Sequence, residues 1–221
     1  MNDLLAIVLS FVYVFLALGA AEALRRWRGY AVDFTRKFVH IAVGMWAYGT
    51  VLLFRQRGAA IIPPLAFVVI NAMSYRVGLF KAMETGEKGR FGTVYFPISF
   101  AALIWLLWGR PHLLVAALMP MTWGDALAAV VGRRAGRHYY TVCGSRRSLE
   151  GSLVMFIAGW INALVPLLVL AVPPVAIDRA VVVAALTAFC ATVVEAISPW
   201  GIDNLTVPAI SALILVLLFP R

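Results

Sequence analysis

Between Trp123 and Ser152 the chain reads WGDALAAVVGRRAGRHYYTVCGSRRSLEGS, a run of residue types suited to holding a metal-bound polyphosphate. Asp125 is an acid set inside an otherwise apolar stretch. Thr122, Asp125 and Ala128 are spaced to share one helical face, and Gly132 and Gly136 continue it with no side chain to block a backbone or a ligand. Arg146 and Arg147 carry guanidinium groups, which make charge-assisted, often bidentate bonds to phosphate oxygens. Ser148, Glu150 and Gly151 then open the next apolar run, where a helix N-terminus would add N–H donors for an anion. Each feature has a plainer reading. The glycines suit helix packing, Arg133, Arg134 and Arg137 suit ordinary loop charge, and Glu150 suits the first turn of a helix.

Other polar residues stand at the edges of apolar runs: Arg36, Lys37 and His40; Asn71; Thr93; Glu195; and Asp203 with Asn204. The three separated carboxylates Asp125, Glu195 and Asp203, with Asn71 and Asn204, form a hard oxygen-donor set of the kind that holds magnesium against substrate phosphates. His40 follows Arg36 by one helical turn and suits a general base, a phosphate donor or a packed ring. His40, His112 and His138 do not cluster, and Cys143 and Cys190 form no metal-ligand spacing and no disulfide framework. No GxxxxGK[ST] loop and no GxSxG elbow occurs.

The elements that must position these residues are membrane helices. Of 221 residues, 63% are hydrophobic and 13% charged, which excludes an ordinary soluble domain. At about 20 apolar residues per span, eight segments emerge: 4–21, 34–54, 59–75, 94–108, 112–131, 152–172, 177–197 and 205–219. Two are short, so seven spans is the alternative. The expectation is an all-α polytopic transmembrane bundle forming a single domain over 1–221, with no repeat, no soluble appendage and no cleaved signal. Arg25, Arg26, Arg28, Arg36 and Lys37; Arg76, Lys81, Lys88 and Arg90; and Arg133, Arg134, Arg137, Arg146 and Arg147 fall in alternate loops and make up fourteen of the nineteen basic residues. Their bias orients these loops to the cytoplasm and both termini outside. Net charge +9 therefore points to topology and not to nucleic acid. All the polar residues above then fall on the cytoplasmic side, and charges in membrane segments are costly enough to be functional candidates.

The pattern GDALAAVVGRRAG…RRSLEGS resembles the nucleotide-binding signature of the CTP-dependent lipid-alcohol kinases. That family includes dolichol kinase, phytol kinase and yeast-type diacylglycerol kinase, and is related to the CDP-diacylglycerol synthases. Asp125, Ala128, Gly132, Gly136, Glu150 and Gly151 match the signature. Arg146 and Arg147 stand where the dolichol kinase form has two lysines, Ser148 stands for threonine, and the spacer is one residue longer. RKFVH, Arg36 to His40, resembles the family's early basic motif, and VEAISPWGIDNLTVP, Glu195 to Pro208, its C-terminal motif. The resemblance spans Arg36 to Pro208, and the short length is closer to phytol kinase and its bacterial relatives.

The resemblance implies transfer of the γ-phosphoryl group of CTP or UTP to the hydroxyl of a prenol, a polyprenol or a similar lipid alcohol, at the cytoplasmic face of a plasma or inner membrane. It implies Asp125 on magnesium with Asp203 as second ligand or general base. Arg36, Lys37, Arg146 and Arg147 would neutralise phosphates, and Glu195, Asn71 and Asn204 would complete the metal or hydroxyl shell. The rival within the same signature is a cytidylyltransferase acting on a lipid phosphate. The rival from another class is an ion-coupled transporter, whose polar residues would lie nearer the midplane.

Overall fold

The computed structural model describes residues 2–77 and 91–219, with 75–77 by backbone alone. The side chain of Arg76, and Lys81, Lys88 and Arg90, all used above to orient the loops, lie outside the described residues. The rest forms a helical bundle with one small hairpin.

Helix α1 (Asp3–Arg28) is capped by the Asn2 side chain, which accepts from the Leu4 N–H. It runs a full seven residues past the expected end at Ala21. Arg25, Arg26 and Arg28 belong to its last turn, where cations oppose the helix dipole, and Glu22 pairs with Arg25 at 2.6 Å. Gly29, with φ of 66°, closes it in the left-handed conformation. Helix α2 (Val32–Leu53) matches its expected segment. The third expected segment is two pieces, α3 (Arg57–Ala60) and α4 (Ile62–Val77), with Pro63 and Pro64 in the first turn of α4. Helix α5 is Gly92–Leu107.

The fifth expected segment is longer and irregular. Helix α6 (Pro111–Met119) passes into a π-helical turn (Pro120–Asp125) and then into α7 (Ala126–Ala135). Pro120 has no N–H for the carbonyl one turn earlier, so the ladder widens there. Asp125 is the last residue of that turn. Residues Leu113–Met119 are wholly buried, as befits a helix that is apolar all round. In an apolar 18-residue stretch of the α6–α7 span 72% of residues are buried, against 28–39% in the matching stretches of the four other helical spans long and apolar enough to cross a membrane. That span is therefore the axis of the bundle, with the others around it and their outer residues, such as Leu16, Leu106 and Val169, exposed.

The basic loop of the sequence reading is in fact an antiparallel hairpin, β1 (Tyr139–Val142) and β2 (Ser145–Ser148), with Tyr139 opposite Ser148 and Tyr140 opposite Arg147. Cys143 and Gly144 make the two-residue turn with φ of 48° and 75°, the left-handed pair such turns demand. Helices α8 (Leu149–Val169), α9 (Ile177–Ile197) and α10 (Asp203–Leu218) complete the chain close to their expected bounds. The chain is thus an all-α bundle carrying one two-stranded ribbon, and by its apolar helices an integral membrane protein.

Candidate active site

The polar residues converge because antiparallel helices bring their alternate ends together. The first turns of α2, the end of α4, the start of α5, the π turn with α7, the hairpin, the start of α8, the end of α9 and the start of α10 surround one cavity of about 650 Å³. Arg36, Lys37, His40, Asn71, Asp125, Ala128 and Gly132 line it. So do Arg146, Arg147, Ser148, Gly151, Glu195, Asp203 and Asn204.

Its centre is a set of three buried carboxylates. Asp125, Glu195 and Asp203 each offer an oxygen, and these oxygens lie within 4.8 Å of one another. Oxygens facing each other across a magnesium ion stand about 4 Å apart, so this cluster has the right scale as well as the right hard donors. Two cations hold the cluster together. Lys37 donates to Asp125 Oδ2. Arg147 lies 2.7 Å from Glu195 Oε1 and 3.8 Å from Asp203 Oδ2, and it also donates to the carbonyls of Glu195 and Ser198. The Nε atoms of Arg36 and Arg147 are buried without partners.

Several predicted residues are placed by contacts of their own. His40 Nε2 donates to the Met121 carbonyl at 3.0 Å and its ring packs on Phe96, which ties α2 to the π turn beside Asp125. Asn71 Nδ2 donates to the Thr93 carbonyl at 2.7 Å, while its Oδ1 is buried with no partner. Asn204 Nδ2 donates to Asp203 Oδ1 at 2.9 Å, so this amide orients the carboxylate next to it. Arg146 lies over the Tyr139 ring at 4.0 Å.

Five residues of the signature do structural work. Ser148 Oγ caps α8 by accepting from the Gly151 N–H at 3.1 Å. A Cβ on Gly132, Gly136 or Gly151 would stand 3.0 Å from that same Oγ, and on Gly136 only 2.3 Å from the Gly132 carbonyl. The glycine stripe is what lets the hairpin and α8 seat on α7. Gly136 does not line the cavity, and neither does Glu150, which accepts from the His138 N–H at 3.1 Å and meets its ring Nδ1 at 2.7 Å. Thr122 also departs from the expected face. The π turn rotates it away from Asp125 and Ala128, onto Gly44 of α2.

Sequence reasoning passed over part of the wall. Arg133, read as loop charge, lines the cavity and pairs with Asp33 at 2.7 Å. Tyr139, Ser152 and Trp200 line it too. The YYTV run followed by a Cys-Gly pair was a hairpin signal that would have brought Tyr139 to this place. The opposite wall is apolar and comes from α1, α2, α4 and α5: Val14, Leu18, Val39, Val43, Phe67 and Phe96. Nothing in a membrane sequence sets such residues apart from those that face lipid.

The arrangement can hold a divalent ion on carboxylates, present cations to phosphate, and receive an apolar molecule from the other side. No family model matches the chain. No solved structure matches it. Among curated proteins, the phytol kinase of Synechocystis sp. is 34% identical over 212 residues, 95% of this chain and 90% of that protein. Two chloroplastic proteins described as probable phytol kinases, from Triticum aestivum and from Oryza sativa subsp. japonica, are 28% and 27% identical over 90% and 99% of this chain, and over 72% and 75% of their own lengths. With that identity over nearly the whole chain, and with the acidic, basic and apolar walls in one cavity, the chain belongs to the phytol kinase family of lipid-alcohol kinases.

Proposed function

We propose that the protein transfers the γ-phosphoryl group of CTP or UTP to the hydroxyl of a prenol, with phytol-like alcohols as the first candidates, at the cytoplasmic face of the membrane. One observation carries this reading: a single cavity whose one wall holds three buried carboxylates among cations and whose other wall is hydrocarbon. A lipid alcohol needs both walls, and so does the meeting of its hydroxyl with a nucleotide.

Asp125 and Asp203, with Glu195 completing the set, would hold magnesium. An ion held there would supply positive charge to offset the negative charge that develops on the phosphate oxygens in the transfer. Lys37, Arg36, Arg146 and Arg147 are then the phosphate ligands. In the transfer, the alcohol oxygen bonds to the γ-phosphorus, the bond from that phosphorus to the β–γ bridging oxygen breaks, and the nucleoside diphosphate leaves. The hydroxyl proton passes to a carboxylate, and Asp203 is the candidate when it is not itself a ligand. Asn71 Oδ1, a buried acceptor with no partner, suits the incoming hydroxyl. Ser148, Gly132, Gly136 and Glu150 hold the hairpin that carries the arginines in place.

The test is a paired label-transfer assay with purified protein, magnesium, a panel of lipid alcohols and lipid phosphates, and CTP labelled at the γ- or the α-phosphorus. Label from the γ position in an alcohol's product is the expected result. Label from the α position in a lipid-phosphate product would make the chain a cytidylyltransferase instead.

A further inference from the structure

On three of the four helices of the apolar wall the cavity-facing side changes character within about one turn. On α2 Val43 gives way to His40 and Arg36, on α4 Phe67 to Asn71, and on α5 Phe96 to Thr93. These are spacings of three and four residues, so each pair shares a face. The three changes meet at one level of the cavity, and they define where a polar head ends and an apolar tail begins.

Beyond that level the lining of the apolar lobe stops short of the next aromatic layer. Tyr13 stacks on Trp46 with ring centroids 4.6 Å apart, Tyr13 donates to the Ala42 carbonyl, and Trp46 donates to Ser10 Oγ at 2.9 Å. Neither aromatic ring lines the cavity. From His40 to Trp46 is six residues, about 9 Å of helix. A tail that reaches through a membrane leaflet, about 15 Å of hydrocarbon, overruns this depth and must leave sideways.

The wall offers one aromatic seam for that exit. Phe67 lines the cavity, and its ring lies 5.5 Å from that of Phe11 and 5.8 Å from that of Phe15. Phe15 is 48% exposed on the outer face of α1. A chain of rings therefore runs from the inside of the cavity to the lipid-facing surface between α1 and α4. Rings can turn aside for a flexible hydrocarbon without breaking a hydrogen bond.

We infer that the acceptor's prenyl tail binds in the lobe formed by Val14, Leu18, Val39, Val43, Phe67 and Phe96 and passes to the membrane between α1 and α4 beside Phe67, which makes Phe67 a determinant of chain-length preference. This rests on the acceptor being a lipid alcohol, so the test reads the tail site without turnover as well as with it. A twenty-carbon prenol carrying a photoreactive diazirine on its last isoprene unit is cross-linked to the purified chain in lipid nanodiscs without nucleotide, and the labelled peptides are mapped. Label in Asp3–Arg28 and Ile62–Val77 is expected. Label concentrated in Leu149–Val169 or Ile177–Ile197 would overturn the inference. In turnover, Phe67→Trp should lower the ratio of kcat/KM for a twenty-carbon over a ten-carbon prenol by about tenfold, and a ratio unchanged within about twofold would also overturn it. Cross-linking in α1 and α4 with no phosphoryl transfer to any alcohol would uphold the tail site and sink the catalytic reading alone.

Discussion

Lys37 and Asp125 are 88 positions apart and meet as an ion pair inside the bundle, while Arg147 holds Glu195 and reaches Asp203. Both cations occupy the carboxylates that a metal would use, so a metal arriving alone has to compete with them. On the proposed function, nucleotide phosphates would give Lys37 and Arg147 another anion and free the carboxylates. Magnesium and nucleotide should therefore support each other's binding, by about fivefold or more in dissociation constant and equally in both directions. Titration calorimetry with a non-hydrolysable CTP analogue, with and without magnesium, measures this; independent binding of the two would contradict it. Asp125→Asn should lower turnover by at least about a hundredfold. It should also lower Tm, because the Lys37 ammonium loses its counter-charge. The variant should still elute as one folded species, so near-normal turnover in that species would remove Asp125 from the chemistry. The residue types were legible in the sequence, since acids and amides among apolar runs stand out. Their pairing was not, because a contact across 88 positions leaves no local pattern.

At the scale of elements, the devices that aim these residues are a widened turn and close helix approaches. Gly44 of α2 lies against the π turn so tightly that a Cβ there would come within 2.2 Å of Thr122 Oγ1. Gly44→Ala should destabilise the protein by about 1–3 kcal/mol, as overpacking does. Part of that loss should return in a Thr122→Ala background, read as Tm in detergent; an unchanged Tm for Gly44→Ala would show that the contact gives way freely. Helices α2, α8, α9 and α10 were legible almost to their ends because length and hydropathy set membrane spans. The π turn was not, although Pro120 inside an apolar run marked a break in the ladder. The same proline explains why Thr122 left the face that regular helical spacing gave it. The hairpin was missed because its segment read as a basic loop leading Arg146 and Arg147 into the next helix, while YYTV and the Cys-Gly turn are strand and hairpin chemistry.

For the molecule as a whole, the ends of the helices sort by chemistry. The polar cavity gathers where α1 ends in Arg25, Arg26 and Arg28 and where α2 begins, and the hairpin stands over the same end. The expectation from sequence charge is that this end faces the cytoplasm, and the proposed nucleotide would need an aqueous approach to it. The chain carries its own probe of this assignment. Cys143 is exposed at the hairpin turn, whereas Cys190 is half-buried within α9, and both are free thiols. In the Cys190→Ala background, a membrane-impermeant maleimide should label Cys143 in inside-out vesicles and leave it unlabelled in right-side-out ones. Saturating nucleotide with magnesium should slow that labelling, because the hairpin's Gly144, Ser145 and Arg146 line the cavity the nucleotide would fill. Labelling from the outside alone would invert the topology, put the acidic cluster beyond reach of cytoplasmic nucleotide, and remove the physical basis for reading this cavity as a kinase site.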